Sequence, residues 1–125
     1  MAKVFEHAYF GDHIVPVAEA HLSVASAAVL YGLSVYTVFP IWVTPEGLGA
    51  FRLKDHYQRL LNSARIIGLD TFEPSWSYER FENAVKELVR AHTLTEGVFA
   101  RVTVHADDLV PGTRSRGVHT TLSMF

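Results

Sequence analysis

Cysteine is absent from the 125 residues, which excludes a disulfide framework, a Cys-ligated zinc or iron–sulfur site and a thiol nucleophile. Charge is sparse: charged residues make up 19%, with 11 Lys and Arg against 13 Asp and Glu, for a net charge of −2. A nucleic-acid binder needs a basic stripe, and this balance argues against one. The opening residues, Met1 to His7, lack the basic and apolar blocks of a signal peptide. The longest weakly polar run, Leu22 to Val43, is broken by Gly32 and Pro40 and becomes β-branched in its second half. It reads as a helix-to-strand junction and not as a membrane span. No membrane association is expected, and the composition fits the cytosol. Seven histidines are present but none stand at HxH, HxxxH or HExxH spacing, so no metal site is expected. GxSxG, GxGxxG and P-loop patterns are also missing.

Apolar side chains, by contrast, are plentiful at 49%. The length fits a single domain over residues 1–125. Such a domain buries about two-thirds of its unfolded surface, for a folded area of about 6,700 Å². The apolar excess over what one small core can hide points to a partner.

The order of elements predicts an α+β fold, with a mainly antiparallel sheet packed against two main helices. Val4–Phe10 and His13–Pro16 flank Gly11-Asp12 as a hairpin. Ser23–Leu30 suits a short buried helix or tight coil. Ser34–Val43 reads as a strand whose Pro40 marks an edge or bulge. A turn over Thr44–Gly49 should lead to a short return strand at Ala50-Phe51-Arg52. Leu53, Tyr57, Leu60, Leu61, Ala64 and Ile67 repeat at three- and four-residue steps, a helix closed by Gly68. Pro74 with Ser75 or Ser77 announces a second helix, with a stripe of Phe81, Ala84, Val85, Leu88 and Val89, ending near His92. Val98–Ala106 and Val118–Phe125 are strands about a polar loop containing Pro111-Gly112. Asp107-Asp108 read as turn carboxylates in preference to an acid–base pair.

Two arginines stand out. Arg52, His56, Arg59 and Ser63 share one flank of the first long helix, where a sheltered guanidinium makes an anion seat. An ordinary solvated flank is the competing reading. Arg101 lies inside an apolar run. Alternation sets Phe99, Arg101 and Thr103 on one strand face and Val98, Ala100, Val102 and Val104 on the other. The mixed face is either pocket wall or plain surface.

Tyr31-Gly32-Leu33-Ser34-Val35-Tyr36 and the later run Phe51, Leu53, His56, Arg59, Leu60, Ser63, Ala64 resemble the N-terminal domain of the fold type IV (class IV) pyridoxal-phosphate aminotransferases. That family includes branched-chain and D-amino acid aminotransferases and aminodeoxychorismate lyases. The resemblance runs over nearly the whole chain. It implies that Arg59 binds the phosphate of pyridoxal 5′-phosphate and that Tyr31, Tyr36, Phe99 and Arg101 lie on the amino acid substrate side. Phe99-Ala100-Arg101 stands where branched-chain enzymes have Tyr-x-Arg, Tyr36-Thr37-Val38 where the family has Phe-Glu-Gly, and Pro40 where an arginine is common. These departures set branched-chain specificity apart from the general resemblance.

In the family the reactive lysine belongs to a C-terminal domain. The lysines here are Lys3, Lys54 and Lys86, and none matches it, so no catalytic residue is expected within the chain and it should be inactive alone. The resemblance implies a dimer or a separate C-terminal half as partner. The competing expectation is a non-catalytic oligomerisation or binding module from the same stock, or half of an aminodeoxychorismate lyase-like enzyme.

Overall fold

In the computed structural model, residues 3–110 and 114–125 are described. Six strands form one sheet in the order β2-β1-β6-β5-β3-β4, antiparallel at every pairing. They are β1 (His7–Phe10), β2 (His13–Pro16), β3 (Ser34–Thr44), β4 (Gly47–Ala50), β5 (Val98–Ala106) and β6 (Thr120–Met124). The helices are α1 (Ala27–Tyr31), α2 (Leu53–Ile67), α3 (Phe72–Ser75) and α4 (Tyr78–Arg90), with a 3₁₀ turn at Val17–Glu19. The α+β expectation therefore holds, and the β5 and α2 limits match their sequence patterns.

The differences are local. The return strand begins at Gly47, because the turn needs only Pro45-Glu46 and β4 pairs Ile41 with Ala50 and Thr44 with Gly47. The expected strand at Ala50-Phe51-Arg52 is therefore shifted. Pro74 lies within the short α3, and Ser77, not Ser75, caps α4 by accepting from Arg80 N. The final strand starts at Thr120, and α4 stops at Arg90. The expected Pro111-Gly112 turn lies outside the described residues.

Period-two alternation explains the layering. Val35, Thr37, Phe39 and Ile41 of β3 are buried together with Ala100, Val102 and Val104 of β5. Against this face pack Tyr57, Leu60, Leu61 and Ala64 of α2 and Phe81, Ala84, Val85 and Leu88 of α4. These are the apolar positions that the helical spacing singles out. α2 lies along β3, while α4 packs on β1, β2 and α2. Gly68 ends α2 at φ 80°, where its N–H reaches Ala64 and Arg65 oxygens, a left-handed cap that costs glycine little.

Pro40 shows how a proline survives within a strand. Leu33 O accepts from Ala106 N on the β5 side, and Pro40 O accepts from Phe51 N on the opposite side. The missing Pro40 N–H thus falls outside the β3–β5 ladder. The strand β4 begins its pairing at Ile41. From Ser34 to Phe39, β3 consequently has a strand neighbour on one side only. By the same alternation the backbone groups of Tyr36 and Val38 face that open edge.

The folded surface is 7445 Å², above the about 6,700 Å² that the scaling law gives for this mass. Val24, Val29, Leu30, Tyr31, Leu109 and Val110 are among the large apolar side chains left exposed.

Phe39 is fully buried between the His56 and Phe81 rings. Phe39→Ala is expected to cost about 3–5 kcal/mol, read as a lower denaturant midpoint at unchanged slope.

Candidate functional site

Thr37 is the unusual residue of β3. It is a fully buried polar side chain on the inward face, in phase with Val35 and Phe39. Burial of a hydroxyl is unfavourable unless it is hydrogen-bonded, and two residues of α2 satisfy it. Arg59 Nη1 donates to Thr37 Oγ1 at 3.4 Å, and His56 Nδ1 lies 3.0 Å from the same oxygen. Burial and, next, the Arg59 charge push the His56 pKa below its ordinary value. Nδ1 of the ring shares a hydrogen bond with this hydroxyl, which also accepts from Arg59.

The Arg59 side chain is exposed even though it touches this buried hydroxyl. Such a side chain sits at the margin of the helix–sheet interface, above a strand that is paired on one side only from Ser34 to Phe39. No carboxylate lies within salt-bridge distance of Arg59 among the described residues. Most of its donors and its charge are therefore available to an anion.

Arg101 occupies the other face of the sheet. Its guanidinium stacks 4.0 Å from the Tyr36 ring centroid, a cation–π contact between diagonal neighbours, since Val38 is its direct cross-strand partner. Arg101 too has no carboxylate partner among the described residues. Phe99, opposite Pro40, is 75% exposed on this face. Tyr31 ends α1 just before the left-handed Gly32. It makes no hydrogen bond or cation–π contact with the other four residues among those described. The structure thus joins Tyr36 to Arg101, sets Phe99 beside them and places Arg59 around the β3 edge.

The helix-flank expectation needs one correction. Arg52 is not part of the Arg59 group. It precedes α2 at φ 51° and pairs through Nε with Asp55 at 2.6 Å, turned towards a separate groove. Spacing alone does not single out Thr37, although a polar residue at an inward position of an alternating strand signals a buried partner. Asp107 does act as a loop carboxylate, taking His119 Nδ1 and the Thr121 hydroxyl. No three potential metal ligands converge among the described residues.

The antiparallel sheet with its two packing helices matches the N-terminal part of fold type IV aminotransferases. Comparison narrows the relationship to branched-chain aminotransferases. The chain is 31% identical over 113 residues to a probable branched-chain-amino-acid aminotransferase of Aquifex aeolicus, covering 87% of this chain and 35% of that protein. With the enzyme of Salmonella typhimurium it shares 29% over 119 residues, 95% of this chain and 37% of the other. The branched-chain aminotransferase structure from Thermoproteus uzoniensis with norvaline superposes at a TM-score of 0.84 with 27% identity, over 95% of this chain and 39% of that one. The Escherichia coli enzyme gives 0.83 and 26% over the same shares. Another branched-chain amino acid aminotransferase, solved in complex with N-(5′-phosphopyridoxyl)-L-glutamate, gives 0.76 and 25%, over 95% of this chain and 40% of that one. No protein-family model matches the chain. The chain is aminotransferase-like and partial, spanning little more than a third of the length of these relatives.

His56 and His105 both have pKa values pushed down, chiefly by burial. Each is neutral when folded and protonates more readily when unfolded. Their contribution to stability is complete above the ordinary value of about 6.5 and is lost as pH falls through the lower folded values. Thermal melts from pH 7.5 to 5 should show a falling midpoint, and His56→Gln should flatten part of that slope.

Proposed function

We propose that this chain is the domain of a pyridoxal-phosphate-dependent aminotransferase that supplies the phosphate-side and substrate-side residues, with the lysine-bearing domain provided outside it. The observation that carries this reading is a pair of arginines on the two faces of the sheet at β3, neither with a carboxylate partner among the described residues. Arg59 is braced on Thr37 on the helix side, and Arg101 on Tyr36 on the outer side.

The donor set suits the cofactor. A phosphate at the β3 edge would meet the free donors of Arg59 and the edge-facing N–H groups of Tyr36 and Val38. A substrate carboxylate on the outer face would meet Arg101, whose planar fork is held flat by the Tyr36 ring. Phe99 and the exposed Tyr31 offer apolar and hydroxyl-bearing walls. Bound pyridoxal phosphate supplies the electron sink for moving an amino group between an amino acid and a 2-oxo acid. This chain's part is to bind, orient and exclude water.

None of the three lysines serves as the reactive amine in this reading. Lys86 pairs with Glu82, and Lys54 and Lys3 lie over the rings of Tyr78 and Phe5. The exposed apolar chains of α1, with Leu109, Val110 and Phe99, form the face that meets the second domain and a dimer partner. A cytoplasmic location is part of this reading; among the described residues no helix is long and apolar enough to cross a membrane.

Titration with pyridoxamine 5′-phosphate, followed by amide chemical shifts, should perturb Tyr36, Val38 and Arg59. Loss of a charge-assisted contact of about 1.5–3 kcal/mol means that Arg59→Ala should weaken binding tenfold or more, with no effect on unphosphorylated pyridoxamine. Amino transfer should appear only when the lysine-bearing domain is added. Equal cofactor affinity in Arg59→Ala would remove the phosphate assignment.

A further inference from the structure

A second concavity, of about 740 Å³, lies between β4 and the exposed sides of α2 and α4. None of Tyr31, Tyr36, Arg59, Phe99 or Arg101 lines it. Its apolar surface comes from Ile41, Leu48, Leu53, Val85 and Val89. The volume falls in the range of small-molecule sites, about 300–1,000 Å³.

The rim is the informative part. Arg52, Lys54, Lys86 and Arg90 all line this groove, against the single carboxylate of Glu82. Four of the 11 basic residues thus gather around one apolar trough in a chain whose net charge is −2. Glu82 is already engaged: one oxygen accepts from the Tyr78 hydroxyl at 3.0 Å and the other from Lys86 at 3.2 Å. Asp55 takes Arg52. Lys54 and Arg90 have no carboxylate within salt-bridge distance among the described residues. Lys54 lies over the Tyr78 ring, and the apolar floor is bordered by two cations without a carboxylate partner among the described residues.

The local sequence explains why the charges converge. Glu82, Lys86 and Arg90 stand four residues apart on one side of α4, next to Val85 and Val89. Leu53 and Lys54 open α2, so a cation and an apolar residue reach the groove from its other bank. Long basic side chains can lay their stems along the apolar floor and keep their heads at its border.

We infer that this groove binds a small amphiphilic anion, an alkyl carboxylate of medium chain length, with its tail on the apolar floor of Leu48, Leu53 and Val89 and its head on the basic rim that Lys54, Lys86 and Arg90 form. The inference does not depend on the aminotransferase reading, because the two sites share no residue. Apolar burial provides the attraction and the two cations provide the preference for an acid.

Decanoate below its micellar concentration tests this on the intact chain. Calorimetry should show saturable binding, weakened severalfold between about 20 mM and about 500 mM salt as the ion pairs are screened. Amide shifts should centre on Leu48, Leu53, Val85 and Val89. Decylammonium should bind at least tenfold more weakly, as should decanoate to the exposed-site double variant Lys54→Glu, Arg90→Glu, whose circular dichroism melt should match the parent. Equal binding of decylammonium, unchanged decanoate affinity in the double variant, or shifts centred on Tyr36 and Arg101 would overturn the proposal. So would concentration-dependent shifts at these groove amides without ligand, which would assign the surface to a second copy.

Discussion

The node formed by Thr37, His56 and Arg59 ties the fold to its candidate chemistry. A hydroxyl inside an otherwise apolar strand face must be hydrogen-bonded. Here it is bonded by a neutral histidine and by an arginine whose charge remains in solvent. That contact fixes the rotation of α2 on β3 as well as the placement of the guanidinium. It also couples the two: an inward slip of β3 by one residue would bury Tyr36 or Val38 beneath α2 and leave Arg59 without its brace.

Around that node the sheet separates two kinds of work. One face is a dry core of β3, β5 and β6 side chains against α2 and α4. The other carries Tyr36, Phe99 and Arg101, exposed and organised by stacking. The two meet at the β3 edge, left free because β4 starts at Ile41. Pro40 contributes by lacking the N–H that would extend that pairing.

Departures from the resembled aminotransferase pattern fall at Tyr36-Thr37-Val38, Pro40 and Phe99. Tyr36-Thr37-Val38 stands where the resembled pattern has Phe-Glu-Gly, and Val38 lies directly across from Arg101. With a hydroxyl beside it, Arg59 has no ion-pair partner at that contact, whereas a carboxylate there would pair with it. Val38 adds bulk to the outer face between Tyr36 and Pro40.

Periodicity alone determined much of this protein. Steps of three and four set the faces of α2 and α4, and alternation set the inward and outward sides of β5. Gly68 and Ser77 marked helix ends through their backbone and capping chemistry. The motif around Arg59 pointed to the aminotransferase resemblance. Only the tertiary structure decided strand order, the free edge of β3, the partnership of Thr37 with His56 and Arg59, and the separation of Arg52 from them. These depend on contacts between residues distant in the chain, and linear spacing cannot say which strand lies next to which. The gathering of Lys54 and Arg90 on one groove has the same origin, since two helices contribute to it from segments joined only through the packed core.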